Sequence, residues 1–163
     1  MAKSTYRLET VLKTRKKIRD DAVAAVAKAR ERLAHEIELL EQRKNELELV
    51  SIRKRDAGEE LQNSLRAGAN AASIVSHKHY IESLNEELLA ATDRLDRQKS
   101  NVQNAEVELD RKLAVLAAAS KDLSAIEKHK ENWTFSEKKR ETKRDQKLMD
   151  EISSILHRQR DDI

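Results

Sequence analysis

The residues of this chain best suited to metal or proton chemistry are its five histidines, and their spacing argues against both. His77 and His79 are two apart, which on a helix points them to different faces, so they cannot share an ion. His35, His129 and His157 stand alone, and solvent-facing or seam histidines are the simpler reading. With no cysteine there is no thiolate nucleophile, thiolate metal site or disulfide. Two glycines cannot build a loop that cradles phosphates, which excludes a nucleotide hydrolase. No hydroxyl or carboxylate falls into a nucleophile or acid–base arrangement. The chain is therefore expected to be no enzyme and to need no cofactor or metal. What remains is the chemistry of binding through charge and apolar contact.

Two basic runs carry that chemistry. The first is Lys3, Arg7, Lys13, Arg15, Lys16, Lys17 and Arg19, opposed only by Glu9 before Asp20. The second is Lys138, Lys139, Arg140, Lys143, Arg144 and Lys147. Each is either a solvated helix face or an electrostatic footprint for an acidic partner. Nucleic acid is the weaker choice, because Glu137, Glu141 and Asp145 interleave the second run and aromatics are scarce. There are one Trp, two Tyr and one Phe. Tyr6 and Trp133 are placed to close a helical seam, Phe135 falls just beyond it, and Tyr80 sits beside a seam position.

The elements that must hold these residues are helices. Charged residues make up 39% of the chain and aromatics 2%, too polar for an ordinary globular core and also compatible with disorder. Periodicity decides between them. Proline is absent, good helix formers dominate, and from Ile74 to Trp133 an a/d frame runs through Ile81, Leu84, Leu88, Ala91, Leu95, Gln98, Val102, Ala105, Leu109, Leu116, Ala119, Leu123 and Ile126. The first arm reads Leu8, Leu12, Arg15, Arg19 (or Ile18), Ala22, Val26, Ala29 and Leu33, then Ile37, Leu40, Lys44, Leu47, Ser51, Lys54, Gly58, Leu61 and Leu65. The only strong punctuation is around Gly68, which suits a left-handed helix terminus, with Ser73 as the next N-cap. An all-α, antiparallel two-helix coiled-coil hairpin is predicted over residues 1–163, with arm one at 5–66, a turn at 67–72 and arm two at 73–160.

Facing residues of an antiparallel hairpin keep a nearly constant sum of residue numbers. A sum of 138 to 139 pairs Leu65 with Ile74, Gly58 with Ile81, Lys54 with Leu84, Ile37 with Val102, Leu33 with Ala105 and Arg15 with Leu123, so small residues repeatedly meet large ones. The layer of Gly58, Ile81, Lys54 and Leu84 is expected to be the least filled, leaving apolar surface near Tyr80. Pairs such as Glu9 with Lys13 and Glu108 with Lys112 are expected to add support along each helix. Arm two outlasts its partner beyond Trp133, and this overhang keeps an apolar stripe of Leu148, Ile152, Ile155 and Leu156. No apolar run approaches a membrane span, and the opening Met1-Ala2-Lys3-Ser4-Thr5 lacks a signal-peptide core, so a cytoplasmic location without direct membrane insertion is expected.

Three segments resemble the stalk proteins of type III secretion, YscO-type in injectisomes and FliJ-type in flagella. They are Tyr6-Arg7-Leu8-Glu9-Thr10-Val11-Leu12-Lys13 before the first basic run, His79-Tyr80-Ile81-Glu82-Ser83-Leu84 after the turn, and Asp145-Gln146-Lys147-Leu148-Met149-Asp150-Glu151 in the overhang. His129-Lys130-Glu131-Asn132-Trp133 is closer to the injectisome branch. The resemblance implies a monomeric coiled coil similar to the stalk of rotary ATPases. One end of it would enter the hexameric export ATPase and link it to the export gate membrane protein, and secretion chaperones would bind as well. Arg15, Lys16, Arg19, Lys139, Arg140, Lys143 and Arg144 are then the expected ATPase-binding residues, and Tyr80 and Leu84 the expected gate-binding residues. The alternatives are a self-associating cytoplasmic coiled-coil scaffold and a basic helical nucleic-acid binder, the latter betrayed by steep salt dependence.

Overall fold

The computed structural model describes residues 5–161. The expected contribution of Lys3 lies outside them, as does the side chain of Leu156, which was counted in the overhang stripe. Two helices, α1 (Glu9–Arg66) and α2 (Ala71–Asp161), pack on each other as an all-α helical hairpin, with no strand among the described residues. None of the described helices is long and apolar enough to cross a membrane. Packing divides the chain into a turn unit, Ala24–Ala114, and a terminal unit formed by the segments through Val23 and from Val115 onward.

The turn unit is closed by backbone bonds. Gly68 has φ +74°, the left-handed region where an L side chain is strained. This lets the Gly68 N–H donate to the Leu65 carbonyl at 3.2 Å and the Ala69 N–H to the Ser64 carbonyl at 3.0 Å, the paired bonds of a Schellman terminus. The next helix is not capped by Ser73. Asn70 takes that role: its Oδ1 accepts the Ser73 N–H at 2.8 Å and its carbonyl accepts the Ile74 N–H at 3.2 Å. The turn is correspondingly shorter than expected, and α2 starts at Ala71.

Within the turn unit, α2 presents the expected frame, with Leu84, Ala91, Leu95, Gln98 and Ala105 buried. The α1 frame differs from expectation beyond Leu33. Val50 and Ala57 are buried, whereas Ile37 is 44% and Leu65 51% exposed, and Ser51 and Lys44 also face solvent. The seam therefore runs through Glu36, Arg43, Val50, Ala57 and Ser64, one residue earlier than Ile37, Lys44, Ser51, Gly58 and Leu65. The reason is periodic. Placing Ile37 in the seam inserts two successive four-residue steps, a stutter that rotates an apolar stripe away from its partner. Because α2 carries no matching stutter, α1 keeps the unbroken 3-4 alternation and leaves Ile37 outside.

Gln98 shows what the corrected frame achieves. It is the buried polar side chain of this seam, and its Nε2 donates to the Glu36 carbonyl at 2.9 Å and to Glu36 Oε2 at 2.6 Å. A buried amide without such acceptors would cost about 1–3 kcal/mol. The layer expected to be least filled is instead closed, since Leu84 is 0% exposed and Ala57 is buried. Arg32–Glu108 (2.7 Å) and Arg53–Glu87 (3.0 Å) bridge the helices. Glu108 thus reaches across the seam and not to Lys112, because positions flanking a seam lie nearest the facing helix.

In the terminal unit, α1 begins at Glu9, not near residue 5, because the chain turns at Tyr6, whose carbonyl accepts the Glu9 N–H at 3.2 Å. Tyr6 is buried against α2, with its ring centroid 5.3 Å from Trp133 and 5.7 Å from His129. Its hydroxyl shares a hydrogen bond of 2.7 Å with His129 Nδ1. Below this plug Leu12 and Ala22 of α1 and Ala119 and Leu123 of α2 are buried. Ile18 does not enter the seam. It is exposed, and Arg19 takes the position with its stem half-buried.

Candidate functional site

No described residues form a cluster of His, Asp or Glu able to hold a metal ion. The features that stand out are surfaces, and the two basic runs meet in the terminal unit. Their members are not equivalent. Arg15 lays its stem over the seam and reaches Asp122 at 2.8 Å. Arg19 Nε is 2.8 Å from Asp20 Oδ1, but its N–H is misaligned, so it is buried without a hydrogen-bond acceptor among the described residues. Arg140 reaches Glu137 at 2.8 Å. Lys16, Lys139, Lys143 and Arg144 are exposed, and among the described residues none lies within ion-pair distance of a carboxylate. The structure thus separates the expected ATPase-binding set into structural cations (Arg15, Arg19), one cation held along the helix (Arg140) and four available ones.

The first helical turn of α1 adds a fixed charge pair. Glu9 reaches Lys130 at 2.7 Å and not the expected Lys13. The Lys130 hydrogen bond, with smaller contributions from the Lys130, Lys13 and Lys16 charges, holds the Glu9 carboxyl below its ordinary pKa of 4.5 despite a partial opposing effect of desolvation. Position at a helix N-terminus favours the same anion.

Beyond Trp133 the exposed side of α2 carries Phe135, 71% exposed, with Lys138, Lys139, Thr142, Lys143 and Gln146 around it. Leu148, Met149, Ile152 and Ile155 are likewise exposed. The sequence singled out Phe135 only as an aromatic with nothing to pack on. Its spacing to the lysines, at i+3, i+4 and i+8, was the signal that joins them into one face.

The two residues expected to meet the export gate part company in the turn unit. Tyr80 is 49% exposed, with His79 3.3 Å from Glu82 beside it. Leu84, fully buried, offers no surface to a partner. The expectation failed there because it rested on Gly58 facing Ile81. With Ala57 in the seam, the layer is filled.

Among solved structures, the chain is similar to a protein of Chlamydia trachomatis, CT670, described as a YscO homolog. The two share 29% identity, 96% of each chain is covered, and the TM-score is 0.81. Among curated protein sequences, none matches. Residues 3–161 match the YscO-like protein family. That match spans nearly the whole chain, takes in both basic runs and the hairpin that carries them, and agrees with the solved relative, so the chain belongs to the YscO-like family of type III secretion stalk proteins.

Proposed function

We propose that this chain is a non-catalytic, cytoplasmic stalk of a type III secretion apparatus, acting as a monomer at the cytoplasmic face of the machine. Its terminal unit enters the hexameric export ATPase, its turn unit meets the cytoplasmic part of the export gate, and secretion chaperones bind it as further partners. The observation that carries the reading is a set of exposed cations that, among the described residues, have no carboxylate within ion-pair distance: Lys16 on α1, and Lys139, Lys143 and Arg144 on the part of α2 that continues beyond its pairing. Such a surface attracts an acidic protein and speeds its encounter. On the turn unit the exposed ring of Tyr80 is the gate contact, and Leu84 only supports the helix beneath it.

Charge reversal tests the reading directly. Lys139→Glu, Lys143→Glu and Arg144→Glu together are expected to abolish stimulation of the partner ATPase while helicity by circular dichroism is retained. Undiminished stimulation overturns the proposal. Tyr80→Ala is expected to leave folding and stimulation intact and to abolish gate binding and secretion, and normal secretion would remove Tyr80 from the gate contact. A monomeric mass in solution is expected, and a stable dimer would favour the scaffold alternative.

A further inference from the structure

Phe135, Lys138, Lys139, Thr142, Lys143 and Gln146 share one shallow surface. They recur at helical spacing, so they form a stripe over successive turns of α2. Among the described residues, none of the three ammonium groups has a carboxylate within ion-pair distance, unlike Arg140 beside them, which reaches Glu137. Between Phe135 and Met149 the stripe is bordered by Asp145, with Glu131 one turn before Phe135 and Asp150 just after Met149, so the carboxylates lie at its ends and the middle carries three ammonium groups. Two heptads after Phe135 the same face carries Met149, 65% exposed, followed by the exposed Ile152. The face is thus apolar, then cationic, then apolar again, and its two apolar stations are separated by roughly 21 Å of helix rise.

We propose that this stripe docks an acidic amphipathic α-helix of a partner protein. Two apolar side chains of that helix, themselves about two heptads apart, seat against Phe135 and against Met149. Carboxylates between them meet Lys138, Lys139 and Lys143. Charge complementarity selects the partner: three uncompensated cations framed by apolar anchors are matched by the inverse pattern and repelled by a basic helix. A nucleic acid would use the lysines and stack on one ring, but it has no use for Met149 and Ile152. The proposal deepens the reading above, and rests on it in taking the partner to be a protein of the export machinery.

The probe is a synthetic helical peptide with two leucines two heptads apart and glutamates between them, measured by fluorescence anisotropy against the full chain. The controls are the same peptide with lysine in place of glutamate and an oligothymidylate. The acidic peptide is expected to bind and the basic one not to. Phe135→Ala, and separately Lys138→Gln with Lys139→Gln and Lys143→Gln, are each expected to weaken binding roughly tenfold or more, the effect of removing a central anchor. Melting curves should be unchanged, because all four side chains are exposed. Equal affinity for the two peptides, unaltered binding by Phe135→Ala, or tighter binding of the oligothymidylate overturns the proposal. If the wild-type chain stimulates the ATPase yet does not discriminate the peptides, the docking chemistry fails and the stalk reading stands. Discrimination without stimulation leaves the docking chemistry standing and removes the ATPase assignment.

Discussion

The turn unit and the terminal unit close the same pair of helices by different physics. In the turn unit closure is local: Gly68 adopts a positive φ, two backbone bonds satisfy the end of α1, and Asn70 satisfies the start of α2, all within residues 64–74. In the terminal unit it is non-local. Tyr6 must find His129 and Trp133, and Glu9 must find Lys130, more than a hundred residues away in sequence. Local closure costs little loop entropy and depends weakly on conditions, whereas distant closure by rings and charges forms only once the seam is in register. Both basic runs of the chain belong to the terminal unit, the one closed at a distance.

Substitutions separate the two modes, beginning with the largest effect. Leu84→Ala removes a fully buried side chain from the turn-unit seam and is expected to cost about 3 kcal/mol, read as a lower midpoint of denaturant unfolding. A loss under about 1 kcal/mol would mean that the layer is not packed as described. Tyr6→Ala should cost about 2 kcal/mol, because it removes an aromatic cluster and a hydroxyl partner together. Its effect should be confined, with faster amide exchange in residues 9–20 and 120–133 and unchanged exchange around the turn. Exchange that rises equally everywhere would erase the distinction between the units.

Gly68→Ala probes local closure. A side chain there meets no atom within 4 Å, so the expected loss of about 1 kcal/mol comes from the left-handed backbone alone. Gly68→Asn should recover part of it, since asparagine tolerates this conformation. The smallest effect belongs to Glu9. Its pKa is lowered in the folded state, so the Lys130 pairing stabilises above the unfolded value of 4.5 and is lost as pH falls through the folded value. Acidification across that window should loosen the Tyr6 segment in the native chain and not in Glu9→Gln, as read by Trp133 fluorescence. Identical titrations of the two chains would show that the pair does not contribute.

Much of this was legible in the sequence because helical periodicity is a local, additive signal. The frame of α2 and the helix end at Gly68 follow from spacing that one helix imposes on itself, and the proximity of Tyr6 to Trp133 follows from folding the two arms about that turn. The seam of α1 was not, because the most apolar residue near the phase, Ile37, was given precedence over Glu36, whose polarity hides its place in the register. Two helices share a seam only if their periods agree, so the unbroken repeat of α2 decided the frame of α1, and Gln98 found its acceptors on Glu36 as a consequence. The basic runs were likewise visible as composition, yet which cations are available depends on where Asp122 and Glu137 fall in three dimensions. By itself the sequence determined the helices, the position of their turn and the charge they carry. Only the tertiary structure decided which face of α1 is inside, that the layer around Leu84 is filled and leaves it no surface, and that Phe135 stands exposed among lysines, because burial is a property of the pair of helices and not of either one.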